Sequence, residues 1–126
     1  MQIATQLDQL RRAFPDCHAV AYADFEAGMI LAKSATATVP QEQWDDLSNY
    51  AFEIMNGEPA ALACNAMSST DFIGTAVVLR GGELTLVVRS PMVADDAIFC
   101  IAEPGLDVEH FLESSIKILS RIAQDV

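Results

Sequence analysis

The stretch Phe72-Ile73-Gly74-Thr75-Ala76-Val77-Val78-Leu79-Arg80-Gly81-Gly82-Glu83-Leu84-Thr85-Leu86-Val87-Val88-Arg89 decides the fold of this chain. Two runs rich in apolar and β-branched residues flank Gly81-Gly82. That pair tolerates the positive φ a two-residue hairpin requires at both central positions. The reading is an antiparallel hairpin, one strand over 72–80 and its return over 83–89. Pro91, which lacks a ladder donor, ends the return strand.

Toward the C-terminus, Asp95-Asp96 precedes a strand over 97–102 that stops at Pro104-Gly105. In it Ala97, Phe99 and Ile101 point one way, and Ile98, Cys100 and Ala102 the other. A strand apolar on both sides belongs to a sheet covered on both faces. Asp107 then reads as the N-cap of a last helix with Glu109 in its first turn. Val108, Phe111, Leu112, Ser115, Leu119 and Ile122 form its inner stripe, widened by Ile116 and Ile118.

Toward the N-terminus, Pro40 opens a helix whose apolar stripe is Trp44, Leu47, Ala51, Ile54 and Met55, with Tyr50 beside it. Asn56-Gly57 stops it, and Pro59 prevents simple continuation. Within 58–71, Ala60 to Ala63 has the composition of one more helical turn, and Ser68 to Asp71 of a loop. Before Pro40, two apolar runs, 18–24 and 29–32, flank a turn ending in Gly28 and make another hairpin. Ile3, Leu7, Leu10 and Phe14 mark a first helix closed by Pro15. The expected fold is α/β of the α+β kind: a five-stranded antiparallel sheet sandwiched by helices, in the order α-β-β-α-β-β-β-α. The middle helix is expected opposite the two terminal ones. No repeat, low-complexity tract or linker divides residues 1–126, so they are expected to form one domain.

Apolar residues make up 52% of the 126, and 18 acidic against 7 basic residues give a net charge of −11. That sign repels phosphate backbones and anionic lipid, so nucleic acid and membrane surfaces are not expected partners. An acidic face that steers a basic partner is compatible with it. The N-terminus lacks the basic start and apolar run of a targeting signal. No apolar run approaches the roughly 20 residues of a membrane span. Cys17, Cys64 and Cys100, far apart and among apolar neighbours, read as small buried residues of a reducing compartment, the cytoplasm.

The residues do not assemble into a catalytic constellation, and none is assigned to catalysis, metal or cofactor binding. His18 and His110 have no Cys or second His at metal-ligand spacing. Cys17 and His18, adjacent on a strand, face opposite sides and cannot act as nucleophile and base. Gly81-Gly82 joins two strands and has no following Lys-Ser, so it is a turn and not a phosphate cradle. The pairs Asp45-Asp46 and Asp95-Asp96 read as a solvated helix face and a loop. Nothing in their sequence surroundings supplies the apolar burial that would split two carboxyl pKa values.

This order and spacing resembles the roadblock/dynein-light-chain family, within a profilin-like architecture. The resemblance rests on the opening hairpin His18-Ala19-Val20-Ala21-Tyr22-Ala23-Asp24 … Gly28-Met29-Ile30-Leu31-Ala32-Lys33-Ser34, the meander from Thr75 to Arg89, and strand 97–102 followed by a helix. It implies a non-enzymatic homodimer pairing through the second helix and third strand, acting as regulator or scaffold for a small Ras-like GTPase or a signalling complex. The residues agree in part. Ile73, Val77, Val78 and Leu79 would otherwise leave an apolar strand bare at a sheet edge. Tyr50 and Phe52 flank the core stripe of the second helix as if a further surface meets it. The expected interface is Trp44, Leu47, Tyr50, Ala51, Ile54, Met55, Ile73, Thr75, Val77 and Leu79. The alternative is a small-molecule sensor with a pocket between sheet and helix, for which Thr75, Thr85 and Asp24 are the available polar residues.

Overall fold

A computed structural model describes residues 3–56, 74–93 and 95–124. The elements are α1 (Ile3–Ala13), β1 (Cys17–Asp24), β2 (Met29–Ala35), α2 (Gln41–Asn56), β3 (Thr75–Arg80), β4 (Glu83–Arg89), β5 (Asp96–Ala102) and α3 (Val108–Gln124). The strands form one antiparallel sheet in the order β2-β1-β5-β4-β3. Element order and sheet type are those expected from the sequence. The helical turn expected at 60–63 and the strand start at Phe72 and Ile73 lie outside the described residues. Pro40 sits one place earlier than expected: it precedes α2, and its carbonyl accepts the N–H groups of Gln43 and Trp44 at 3.0 and 3.2 Å.

The β3–β4 hairpin turns where Gly81 and Gly82 adopt φ of +56° and +78°, a conformation that strains any residue carrying a Cβ. The first hairpin uses different chemistry. Asp24 accepts hydrogen bonds from the N–H groups of Glu26 and Ala27 at 2.9 and 3.3 Å, and Phe25 turns into the core.

Strand alternation splits the core into two layers. Val20 and Tyr22 of β1, Leu84, Leu86 and Val88 of β4, and Ile98, Cys100 and Ala102 of β5 face α1 and α3. There they meet Leu7 and Leu10 of α1 and Phe111, Ile118, Leu119 and Ile122 of α3. Phe14 and Phe111 meet edge to face, 5.2 Å between ring centroids. On the other face Ala19, Ala21, Ala23, Val87, Ala97, Phe99 and Ile101 lie under Trp44, Ala51 and Met55 of α2. The alanines of β1 keep this surface low and let the bulk of Trp44 and Phe99 fill it. Full burial of a side chain such as Phe99 or Phe111 stabilises by about 1.5–3 kcal/mol. α1 lies over β1 and β2, α3 over β4 and β5.

Candidate interaction surface

The residues expected at an interface, Ile73 apart, divide between core and surface. Trp44, Ala51 and Met55 are buried in the chain's own core, Trp44 only 2% exposed. Leu47, Tyr50 and Ile54 are half-buried along α2. Ile73 lies outside the described residues. Thr75, Val77 and Leu79 are exposed on β3, Val77 by 50% and Leu79 by 62%. Phe52 is 40% exposed and meets the buried ring of Phe25 edge to face at 5.8 Å. Leu47 and Ile54 still pack in part against the sheet, so the surface of α2 outside the core is carried by Tyr50 on one flank and Phe52 on the other, with the outer edges of Leu47 and Ile54.

The two sheet edges differ. On β2, Ile30 and Ala32 oppose the adjacent Ala23 and Tyr22 of β1, leaving Leu31 without a partner, a β-bulge. Bulges twist an edge away from further pairing. β3 pairs with β4 in unbroken register from Thr75 to Arg80, so its outer side is a regular edge. Register also fixes which way β3 side chains point. Thr75, Val77 and Leu79 stand opposite Val88, Leu86 and Leu84, which face α1 and α3. The exposed apolar residues of β3 thus lie on the face away from α2. The expected interface is divided between both faces of the sheet, joined through the β3 edge.

The polar residues that could suggest chemistry have structural employment. His18 is the extra residue of a bulge between Cys17 and Ala19, and its Nε2 pairs with Glu103 Oε1 at 2.8 Å in solvent. Cys17 points into the core on the α1 and α3 side with Val20 and Tyr22, the face opposite Ala19, because the bulge interrupts the alternation. Its thiol is held below the ordinary range by a hydrogen bond from Cys100, whose own thiol that bond and burial push up. Cys64 lies outside the described residues. Asp107 accepts the His110 N–H at 3.3 Å, capping α3, and its carboxylate also meets His110 Nδ1. Among the described residues no group of three His, Cys, Asp or Glu is placed to hold a metal ion.

One expectation is corrected. Asp95 and Asp96 do not share one solvated loop environment, because Asp96 begins β5 half-buried while Asp95 is exposed. Burial raises the Asp96 carboxyl, and its hydrogen bond with Tyr22 opposes that rise. Tyr22 is itself pushed up by burial, then by Asp96. Tyr22 is 4% exposed and Asp96 half-buried, so the pair ties β1 to the start of β5 at this end of the sheet.

Sequence reasoning missed Arg89. It is buried, and its Nη2 donates to the Met55 carbonyl at 2.9 Å, in the last turn of α2. A buried cation there complements the negative end of the helix dipole. Also unforeseen is the link from α1 to the β2 edge: Arg11 Nε donates to Ser34 Oγ at 2.9 Å, and Ser34 Oγ donates to Asp8.

The polar residues considered for a ligand pocket do not converge. Thr75 faces the α3 side of the sheet, Thr85 faces α2, and Asp24 belongs to the first hairpin turn. A cleft of about 460 Å³ does lie beside α2, lined by Gln43, Asp46, Leu47, Tyr50, Glu83, Thr85 and Ile101. Among the described residues no helix is long and apolar enough to cross a membrane.

No family model and no curated protein matches the sequence. Solved structures do match the fold. A roadblock/LC7 domain from Streptomyces avermitilis superposes with a TM-score of 0.77 at 10% identity, covering 98% of this chain and 97% of that one. The gliding protein MglB from Thermus thermophilus gives 0.78 at 13% identity, covering 98% and 90%. LokiProfilin1, solved with rabbit actin, gives 0.62 at 12% identity, covering 100% and 98%. The chain therefore has the roadblock fold, within the wider profilin-like architecture.

Proposed function

We propose that this chain is a cytoplasmic, non-enzymatic protein-interaction module that works as a homodimer and regulates or scaffolds a small Ras-like GTPase or a signalling complex. The observation that carries the reading is the regular outer edge of β3, unpaired among the described residues, with Val77 and Leu79 exposed on it. A strand of this kind is an aggregation hazard unless another strand covers it. A second copy related by a two-fold axis is the simplest cover, and joins two five-stranded sheets into one. Leu47, Tyr50 and Ile54, on the flank of α2 toward β4, supply the second part of the same contact on the α2 side.

The likeness in fold to roadblock/LC7 and MglB structures supports the choice of a protein partner, and the GTPase is what the roadblock resemblance implies. The charge of −11 favours a partner with a basic surface. The test has two stages. The mass of the full chain at micromolar concentration is expected to equal two chains; a mass of one chain overturns the dimer. Affinity capture from native lysate is then run with a GTP analogue and with GDP. Enrichment of a small GTPase in one nucleotide state is expected, and its absence from both overturns the GTPase assignment.

A further inference from the structure

Thr75, Val77 and Leu79 of β3 point away from α2, so pairing of two β3 edges has a consequence on the opposite face. Among the described residues α3 lies over β4 and β5, and Val77 and Leu79 of β3 are exposed beside it. In a dimer paired edge to edge, Val77 and Leu79 of both copies lie side by side on that face, bounded on each side by an α3 helix. Neighbouring strands are about 4.8 Å apart, so four strand spacings separate the two α3 axes, about 19 Å. A helix packs against a helix at 8–10 Å, so this gap is the width of one inserted helix.

The walls of the slot have a definite chemistry. Ser114, Lys117, Ile118 and Arg121 of α3 line the groove toward α1. At 100° per residue, the opposite flank, toward β3, carries Leu112, Ile116 and Ala123, with Glu109 and Glu113 above them. Leu112 is half-buried and Ile116 is 36% exposed. Both basic residues of α3 thus sit on the α1 side, and the flank toward β3 has carboxylates alone. The slot has an apolar floor and two acidic rims.

We infer that this slot takes one amphipathic helix per dimer, its apolar stripe on Val77 and Leu79 and its Lys or Arg side chains against Glu109 and Glu113 of both copies. The inference rests on the dimer proposed above, deepens it by naming the partner element, and uses the helix-in-groove mode of recognition.

The probe is a fluorescent Leu/Lys amphipathic peptide of about 14 residues, roughly 21 Å when helical. Titrated with the full chain, it is expected to saturate at one peptide per two chains, while a Leu/Glu counterpart binds at least about tenfold more weakly. Ile116→Glu is expected to weaken binding by about tenfold or more, and E109Q/E113Q to flatten its dependence on salt. Both substitutions are on an exposed helix flank and are expected to leave the dimer mass unchanged. A dimeric protein that does not bind the Leu/Lys peptide, binds one per chain, or binds equally well as Ile116→Glu overturns the slot and leaves the dimer standing. A mass of one chain overturns the dimer itself, and the slot with it.

Discussion

Ser115 faces the core from α3, fully buried, and its hydroxyl has no hydrogen-bond partner among the described residues. A buried hydroxyl left unpaired costs about 1–3 kcal/mol, so Ser115→Ala is expected to raise the melting temperature. A thermal melt of the two proteins checks it. Asp107 and His110 give a second residue-level test. Hydrogen bonds from His110 hold the Asp107 carboxyl below the usual carboxylate range, and the Asp107 carboxylate holds the His110 imidazole above 6.5. The sign follows from linkage. A raised histidine stabilises fully below its unfolded pKa, and that contribution is lost as pH rises through the folded value. A depressed carboxyl stabilises above its unfolded pKa, and is lost as pH falls through the folded value. The pair is thus most effective between the carboxylate range and the imidazole range. An NMR titration is expected to show His110 above 6.5, and Asp107→Asn to return it toward the ordinary value.

Between elements, Arg89 joins β4 to the last turn of α2. Arg89→Met removes the donor to a buried carbonyl and is expected to cost at least about 1–3 kcal/mol in denaturant unfolding. Val77→Lys with Leu79→Lys is expected to convert a two-chain mass to one chain while far-UV circular dichroism keeps its shape, since both side chains are exposed. The hairpin that carries these residues was legible from the sequence because Gly81-Gly82 and the flanking runs are local signals. Arg89 was not, because a lone Arg at a strand end says nothing of a helix terminus 34 residues earlier in the chain. The separate environments of Asp95 and Asp96 were hidden for the same reason, since the Tyr22 beside Asp96 comes from another strand.

For the whole molecule, a net charge of −11 and the acidic flank of α3 imply steering of a basic partner. Raising ionic strength is expected to slow association of a captured partner strongly while changing its dissociation little, which surface plasmon resonance separates. By itself the sequence determined the element order, the antiparallel sheet, the two apolar faces of β5 and the placing of helices on both sides. Those follow from periodicity, turn residues and the need to bury apolar surface, all of which are local or compositional. Only the tertiary structure decided that Leu31 bulges the β2 edge, that β3 stays a regular edge, and that Val77 and Leu79 face α3 rather than α2. Edge and face are properties of strand order and register, set by which strands pair across long stretches of chain, and no single stretch of sequence contains them.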